Sequence, residues 1–77
     1  MIEDLKNIYT GFCNLTDQLI STKYNKTTAS LDRIDSKKAY TVDNIQWVHK
    51  DINMLKNKYD QEYFIHMCTL VANKTKW

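Results

Sequence analysis

The stretch from residue 29 to residue 56 constrains the fold of this chain more than any other part of it. Apolar and polar residues alternate over Ala29 to Ile34, which predicts a strand. A polar loop follows, and the short apolar run Ile45 to Trp47 predicts a second strand that returns against the first. From there the apolar residues recur at helical spacing, at Val48, Ile52 and Leu55. The stretch therefore predicts a strand, a loop, a strand and a helix, in that order.

Two oxygen-bearing side chains of this unit are candidate metal ligands. Asp32 lies in the first predicted strand, and Asn53 lies in the middle of the predicted helix, where asparagine is a mediocre helix former. A carboxylate and an amide oxygen among lysines suit a hard divalent cation that sits against phosphate. In a regular strand Asp32 and Arg33 face opposite sides, so a bend near Arg33 would be needed to turn both towards one site. We expect an Mg²⁺ (or Mn²⁺) site at Asp32 and Asn53.

The basic residues of the chain concentrate around this unit. The net charge of the whole chain is +2, which is too small to indicate nucleic-acid binding by itself. Between Lys23 and Lys58, however, eight cations stand against four anions. A basic centre is typical of a phosphate-facing surface, although a solvated lysine-rich surface explains the charge equally well. The candidate phosphate-binding cations are Lys37, Lys38, Lys50 and Lys56.

The length of the chain, 77 residues, is close to the lower limit for a self-sufficient core. We expect one domain, residues 1–77, and at this size a second copy of the chain could add stability, so a homodimer stays open. Cys13 and Cys68 are too few for a disulfide framework, and we expect both to be small buried hydrophobes. Because no signal-like start or membrane-length apolar run occurs, we expect a cytoplasmic protein with no membrane partner.

Helical patterns flank the central unit on both sides. Apolar spacing predicts a short N-terminal helix that ends before Gly11, followed by a tight hairpin over Phe12 to Ile20 and an exposed loop over Ser21 to Thr28. Asp60 is expected to cap a last helix. Its apolar stripe, expected to be core, is Phe64, Met67, Cys68 and Val71. The fold class expected is therefore α+β.

The polar residues of the central unit resemble the motif of the HNH endonucleases. That motif reads Asp-His, an Asn about a dozen residues on, and a final His or Asn in a helix, often followed by Lys. Here Asp32, Asn44 and Asn53 stand at the three positions, with Lys56 behind them. The chain departs from the motif at Arg33, because most members have there the His that acts as general base and arginine cannot be deprotonated in proteins.

A rarer branch of the same family, which includes a restriction endonuclease, has Asp-Arg in place of Asp-His. Its proposed nucleophile is a tyrosine, and Tyr40 stands at a similar spacing after Arg33 in this chain. The alternative for Tyr40 is a half-exposed loop aromatic that packs on lysine stems. Arg33 would neutralise charge on the phosphate through its planar donor fork.

The resemblance implies a small ββα-metal (HNH-like) domain, of a kind found in phages and mobile elements, that cuts DNA with one bound metal ion. On this reading Asp32→Ala abolishes metal-dependent cleavage and leaves the fold intact. Asn44 is expected to satisfy backbone groups of the loop rather than to take part in the chemistry.

Many members of the family frame the motif with two Cys-x-x-Cys halves of a structural zinc site. At the corresponding places this chain has Cys13 with Thr16 and His49 with Ile52. Two ligands cannot complete a closed zinc site, so we expect no structural zinc and apolar packing in its place. Three roles are open for His49: a remnant of that zinc site, a packed surface histidine, or a second catalytic base near Asn53.

Two other functions compete with the nuclease. The first is a catalytically silent HNH-like module that binds DNA, or that binds a nuclease-like protein partner and inhibits it. The second and weaker one is a purely structural interaction protein, which would bind neither DNA nor a metal ion. Mg²⁺ binding and cleavage of plasmid DNA distinguish these classes.

Overall fold

The computed structural model of the chain describes residues 2 to 75. Its fold is α+β, with a two-stranded antiparallel sheet and helices before and after it. The elements in chain order are α1 (Ile2–Asn7), a 3-10 turn (Tyr24–Lys26), β1 (Ala29–Arg33), β2 (Ile45–His49), α2 (Lys50–Lys56) and α3 (Gln61–Thr75). None of the helices described over this range has the length and apolar character needed to cross a membrane.

The sheet is a regular antiparallel hairpin. Pairing runs without interruption from Ala29 opposite His49 to Arg33 opposite Ile45. The bend that would turn the side chains of Asp32 and Arg33 towards one site is therefore absent from this described hairpin, and the two side chains leave the sheet on opposite faces. Helix α2 lies across the face that carries Asp32, and its side chains Asn53 and Lys56 bond to β1.

Helix α2 begins two residues later than its apolar spacing predicted. Val48 and His49 pair with β1, so β2 keeps them extended, and the helix starts at Lys50 with His49 as its N-cap. Val48 is fully buried and Ile52 packs against it, but Leu55 is 68% exposed. The predicted helical stripe was wrong at Leu55, because continued strand pairing shifts where the helix starts and which of its faces meets the sheet.

The N-terminal segment covers one side of the hairpin. Gly11 has φ +84°, and from there the chain turns back on itself, with Phe12 bridged to Leu19 as predicted. The Trp47 indole donates to the Leu5 carbonyl over 2.9 Å. The core of the described chain is Cys13, Ile20 and Val48, with Tyr9, Leu15, Ala29, Trp47 and Ile52 packed against it. Cys13 is thus the buried hydrophobe that we expected.

Helix α3 is the least buried element of the fold. It starts directly after Asp60, whose carbonyl accepts from the Phe64 amide. Between Gln61 and Thr75, all of which the structure describes, no residue is buried. Met67 is 41% and Val71 62% exposed, and Cys68 is exposed as well. The prediction that this apolar stripe is core was wrong, because amphipathic spacing shows that a helix has an apolar face but not which surface covers it.

Candidate functional site

The carboxylate of Asp32 is buried against a lysine. Asp32 is 4% and Lys56 1% exposed, and the Lys56 ammonium lies 3.1 Å from Oδ1 and 3.0 Å from Oδ2. The same ammonium donates to the Arg33 carbonyl over 2.7 Å. Gln46, directly opposite in β2, donates to Asp32 Oδ2 over 2.9 Å. Both charges of the Asp32–Lys56 pair are therefore compensated inside the protein.

The lysine-rich surroundings of Lys56 predicted a surface cation that binds phosphate. That prediction was wrong, because Lys56 is buried. It ends α2, which crosses the sheet so that its last turn lies over Asp32. The stem of Lys56 is enclosed and its ammonium donates inward, so it is not available to a phosphate group. Lys37, Lys38 and Lys50, the other three candidate phosphate-binding cations, are exposed.

Asn53 lies on the same side of the sheet as Asp32. Its amide nitrogen donates to the Ser30 hydroxyl over 2.6 Å and to the Leu31 carbonyl over 3.2 Å. These two bonds occupy both amide hydrogens, which leaves the amide oxygen as the remaining polar atom of the side chain. Asn53 also lines a shallow polar depression together with Lys50 and Asn57. The structure thus brings both predicted metal ligands to the interface between β1 and α2.

Arg33 and Tyr40 form a second pair, at the end of the hairpin. The Arg33 guanidinium carbon lies 5.0 Å from the centre of the Tyr40 ring, within the range of a cation–π contact. The guanidinium also donates to the Lys38 carbonyl over 3.1 Å, which fixes its direction along the loop. The Tyr40 ring is 55% exposed. A permanent cation at the end of β1 therefore lies against the ring of an exposed loop tyrosine.

Asn44 closes that loop from the inside. Its side-chain oxygen accepts from the Asp35 amide over 2.9 Å, and its nitrogen donates to the carbonyls of Asp35 and Ala39, each over 3.0 Å. Asn44 is 6% exposed. Three backbone groups of the loop are satisfied by one side chain, which is the structural role that its sequence position predicted. The loop that carries Tyr40 is therefore held to the hairpin at its base.

The outer edge of the same loop carries an acidic group with a perturbed pKa. The Thr41 hydroxyl donates to the Asp43 carboxylate over 2.6 Å. This bond, ahead of the charge of nearby Lys38, holds the pKa of Asp43 below its ordinary value. Asp43 is therefore ionised at neutral pH and offsets part of the positive charge of the loop.

His49 has a structural role at the start of α2. Its ring Nδ1 accepts from the Asp51 backbone amide over 3.1 Å, so the side chain caps the helix. The same Nδ1 lies 3.8 Å from the Asp51 carboxylate. With Nδ1 used in this way, a catalytic role for His49 would fall to Nε2.

The positions that the sequence resemblance aligns with zinc ligands of HNH proteins, at Thr16, His49 and Ile52, lie close to Cys13. Burial raises the pKa of the Cys13 thiol. Hydrogen bonds from the Thr16 hydroxyl and from backbone amides, including that of His49, together lower the pKa by more than burial raises it, so the pKa lies below its ordinary value. Ile52 packs against the same cluster, as expected. Over residues 2 to 75 no three His, Cys, Asp or Glu side chains converge on one point.

Sequence reasoning missed Gln46, which joins the site to α3. Besides its bond to Asp32, Gln46 donates to the Gln61 side chain at the start of α3. Gln46 is 5% exposed. The signal was available, because a glutamine inside the apolar run Ile45 to Val48 needs a buried polar partner, and the strand register sets Asp32 opposite to it.

No protein-family model matches the chain, and no curated protein or solved structure gives a significant match to it.

Proposed function

We propose that this chain is a metal-dependent DNA endonuclease of the HNH type. The order of β1, β2 and α2 agrees with the strand, strand and helix of the ββα-metal unit that the sequence resemblance implies. The observation that carries the proposal is the contact between Arg33 and Tyr40. It holds the candidate nucleophile Tyr40 against a permanent cation at the end of β1, and the loop that carries Tyr40 also carries two exposed cations, Lys37 and Lys38.

The chemistry assigned to Tyr40 is direct attack on phosphorus. The phenol oxygen gives up its proton to solvent and forms a bond to phosphorus as the bond from phosphorus to the leaving deoxyribose oxygen breaks, and that oxygen takes up a proton from solvent. Water later hydrolyses the phosphotyrosyl ester and restores the hydroxyl. Arg33, which is charged at every relevant pH, stabilises the negative charge that grows on the phosphate oxygens.

The residues that would hold a metal ion are Asp32 and Asn53. Their donor chemistry fits Mg²⁺ or Mn²⁺, because both offer hard oxygen atoms and the amide oxygen of Asn53 is left over from its two bonds. A bound ion would supply charge neutralisation at the phosphate. Lys56 shares the Asp32 carboxylate, so binding at Asp32 competes with an existing ion pair.

That competition favours a second candidate function, a silent HNH-like module that binds DNA, or inhibits a nuclease-like partner, without cutting. The Asp32–Lys56 pair already has balanced charges and is almost entirely enclosed. A carboxylate in this state gains less from a metal ion than a free one does. The silent module therefore keeps the exposed cations as its binding surface and uses Asp32 only to hold α2 on the sheet.

The nuclease proposal predicts nicking of supercoiled plasmid DNA by the purified chain in Mg²⁺ or Mn²⁺, and none in excess chelator. Gel electrophoresis follows the conversion of supercoiled to open-circular DNA. A protein that binds the plasmid in a gel-shift assay, but leaves it supercoiled with either ion, contradicts the nuclease and supports the silent module. A protein that neither binds nor cuts contradicts the nuclease and the DNA-binding form of the silent module, and leaves the form that inhibits a protein partner.

For DNA binding, Lys37 and Lys38 are the cations to change. Replacing both with Ala should weaken binding to all DNA sequences alike and reduce the dependence of log Kd on log salt by about 2, one for each phosphate that a lysine no longer neutralises. Fluorescence anisotropy with a labelled duplex at several salt concentrations measures the slope. Lys23 and Lys26, exposed on a different loop, form the matched control pair, and an equal weakening in that variant would show a general charge effect instead of a localised surface.

A further inference from the structure

An apolar groove runs along α3 and has no cover in the described chain. Its walls are the end of α2 and one side of α3, and we call it the α3 groove. Leu55 is 68% exposed, Val71 62%, and Tyr59 and Tyr63 each 49%. None of the described residues that line the groove is charged, although the opposite side of α3 carries Glu62, His66 and Asn73. A contiguous exposed apolar surface rimmed by polar residues is typical of a protein interface.

The size of the groove suits association of one chain with another. Large side chains such as tyrosine offer about 150–250 Å² each when they are buried completely. At the exposures given, the groove residues together offer on the order of 600 Å², and a standard interface buries about 800 Å² on each partner. A partner of this kind must therefore cover the rim of the groove as well as the groove itself to reach the area of a standard interface.

We propose that the occupant of the α3 groove is a second copy of this chain, bound by two-fold packing of α3 against α3. In a two-fold interface each residue near the axis meets its own copy, so a groove with charges of one sign would repel itself. This groove has none of the charges that would select an acidic or basic peptide. Its lining extends from Leu55 to Thr75, and the apolar stripe of α3 runs along most of that length.

The small core of the chain gives the second reason for self-association. Within residues 2 to 75 the fully enclosed apolar residues are Cys13, Ile20, Ile45 and Val48. A chain of this size commonly needs a further source of buried apolar surface. The midpoint of α3 lies at Cys68, so an antiparallel pair of α3 helices that cross at their middles puts Cys68 close to Cys68 of the second copy. This inference does not depend on the nuclease proposal.

Analytical ultracentrifugation of the chain without DNA or metal ion tests the proposal. The parent should change from monomer to dimer between about 1 and 500 μM. Val71→Glu should weaken the dimer at least about tenfold, because it buries a carboxylate on both sides of the axis. Asn73→Glu adds the same charge on the other side of α3 and should leave the dimer unchanged. A parent that stays monomeric at 500 μM, or equal effects of the two variants, overturns the proposal.

Disulfide trapping provides a readout that does not depend on the folding of the Val71 variant. Mild oxidation with copper–phenanthroline should join two parent chains through Cys68, seen as a dimer on a non-reducing gel, and Cys68→Ser should give none. Cys13 is fully buried and should not crosslink. A dimer by ultracentrifugation that fails to crosslink through Cys68 overturns the antiparallel packing about the middle of α3.

Discussion

Lys56→Met is expected to lower the free energy of unfolding by about 3–5 kcal/mol, because it leaves the Asp32 carboxylate buried without its cation. Asp32 is 4% exposed, so water cannot solvate the charge in place of the ammonium. A domain of this size has a total stability of about 4–12 kcal/mol, so this single change removes a large fraction of it. Urea denaturation followed by circular dichroism measures the decrease.

Two control variants separate the ion pair from general effects. Lys50→Met changes an exposed lysine at the other end of α2 and should alter stability by no more than about 0.5 kcal/mol. Asp32→Asn combined with Lys56→Met removes both charges and should be more stable than Lys56→Met alone, since no unpaired charge stays buried. If Lys56→Met unfolds at the urea concentration of the parent, the Asp32–Lys56 pair is not a structural element of the fold.

The same pair changes how Asp32 can be tested. The sequence motif predicted that Asp32→Ala abolishes cleavage and leaves the fold intact. Because the substitution would leave the Lys56 ammonium buried and unpaired, the structure predicts that Asp32→Ala is destabilised as well. Loss of activity in that variant would therefore not identify a metal ligand. Asn53 is the better probe, and Asn53→Asp, which keeps an oxygen ligand and adds a charge, can be compared with Asn53→Ala.

Tyr40→Phe is expected to reduce DNA cleavage by about 10³-fold or more, because it removes the attacking oxygen of the proposed reaction. The ring that contacts Arg33 is kept, so folding and DNA affinity should stay at the parent's values. The rate of plasmid nicking under single-turnover conditions measures the effect. Tyr24→Phe, at a tyrosine that is 99% exposed on another loop, is the matched control and should cut at the parent's rate.

A covalent intermediate would identify the nucleophile directly. When the parent is quenched with a slowly cut substrate, mass spectrometry should find a phosphotyrosyl adduct on the peptide that contains Tyr40. If Tyr40→Phe cuts DNA as fast as the parent, water is the nucleophile and Nε2 of His49 becomes the base to test. If neither protein cuts, the silent binding module replaces the nuclease.

Much of the local structure was predictable, because it depends on interactions between residues close in the chain. Alternation predicted β1 and the opposite faces of Asp32 and Arg33, and the pairing of β1 with β2 confirms both. Turn chemistry predicted the loop-closing role of Asn44. Asn53 was expected near Asp32 because a strand, a loop and a helix in that order can bring the two residues together, and Asn53 bonds to Ser30 and Leu31 in β1.

The sequence by itself determined the strands, the helices and the positions of the polar residues along them, since these follow from periods of two and 3.6 residues. Only the tertiary structure decided which apolar and charged groups are enclosed. Lys56 is buried because α2 crosses the sheet with its last turn over Asp32, whereas in the apolar stripe of α3 the described chain covers Phe64 only in part and leaves Met67, Cys68 and Val71 exposed. Both outcomes depend on the direction in which one element crosses another, and residue spacing within a single helix carries no information about that direction.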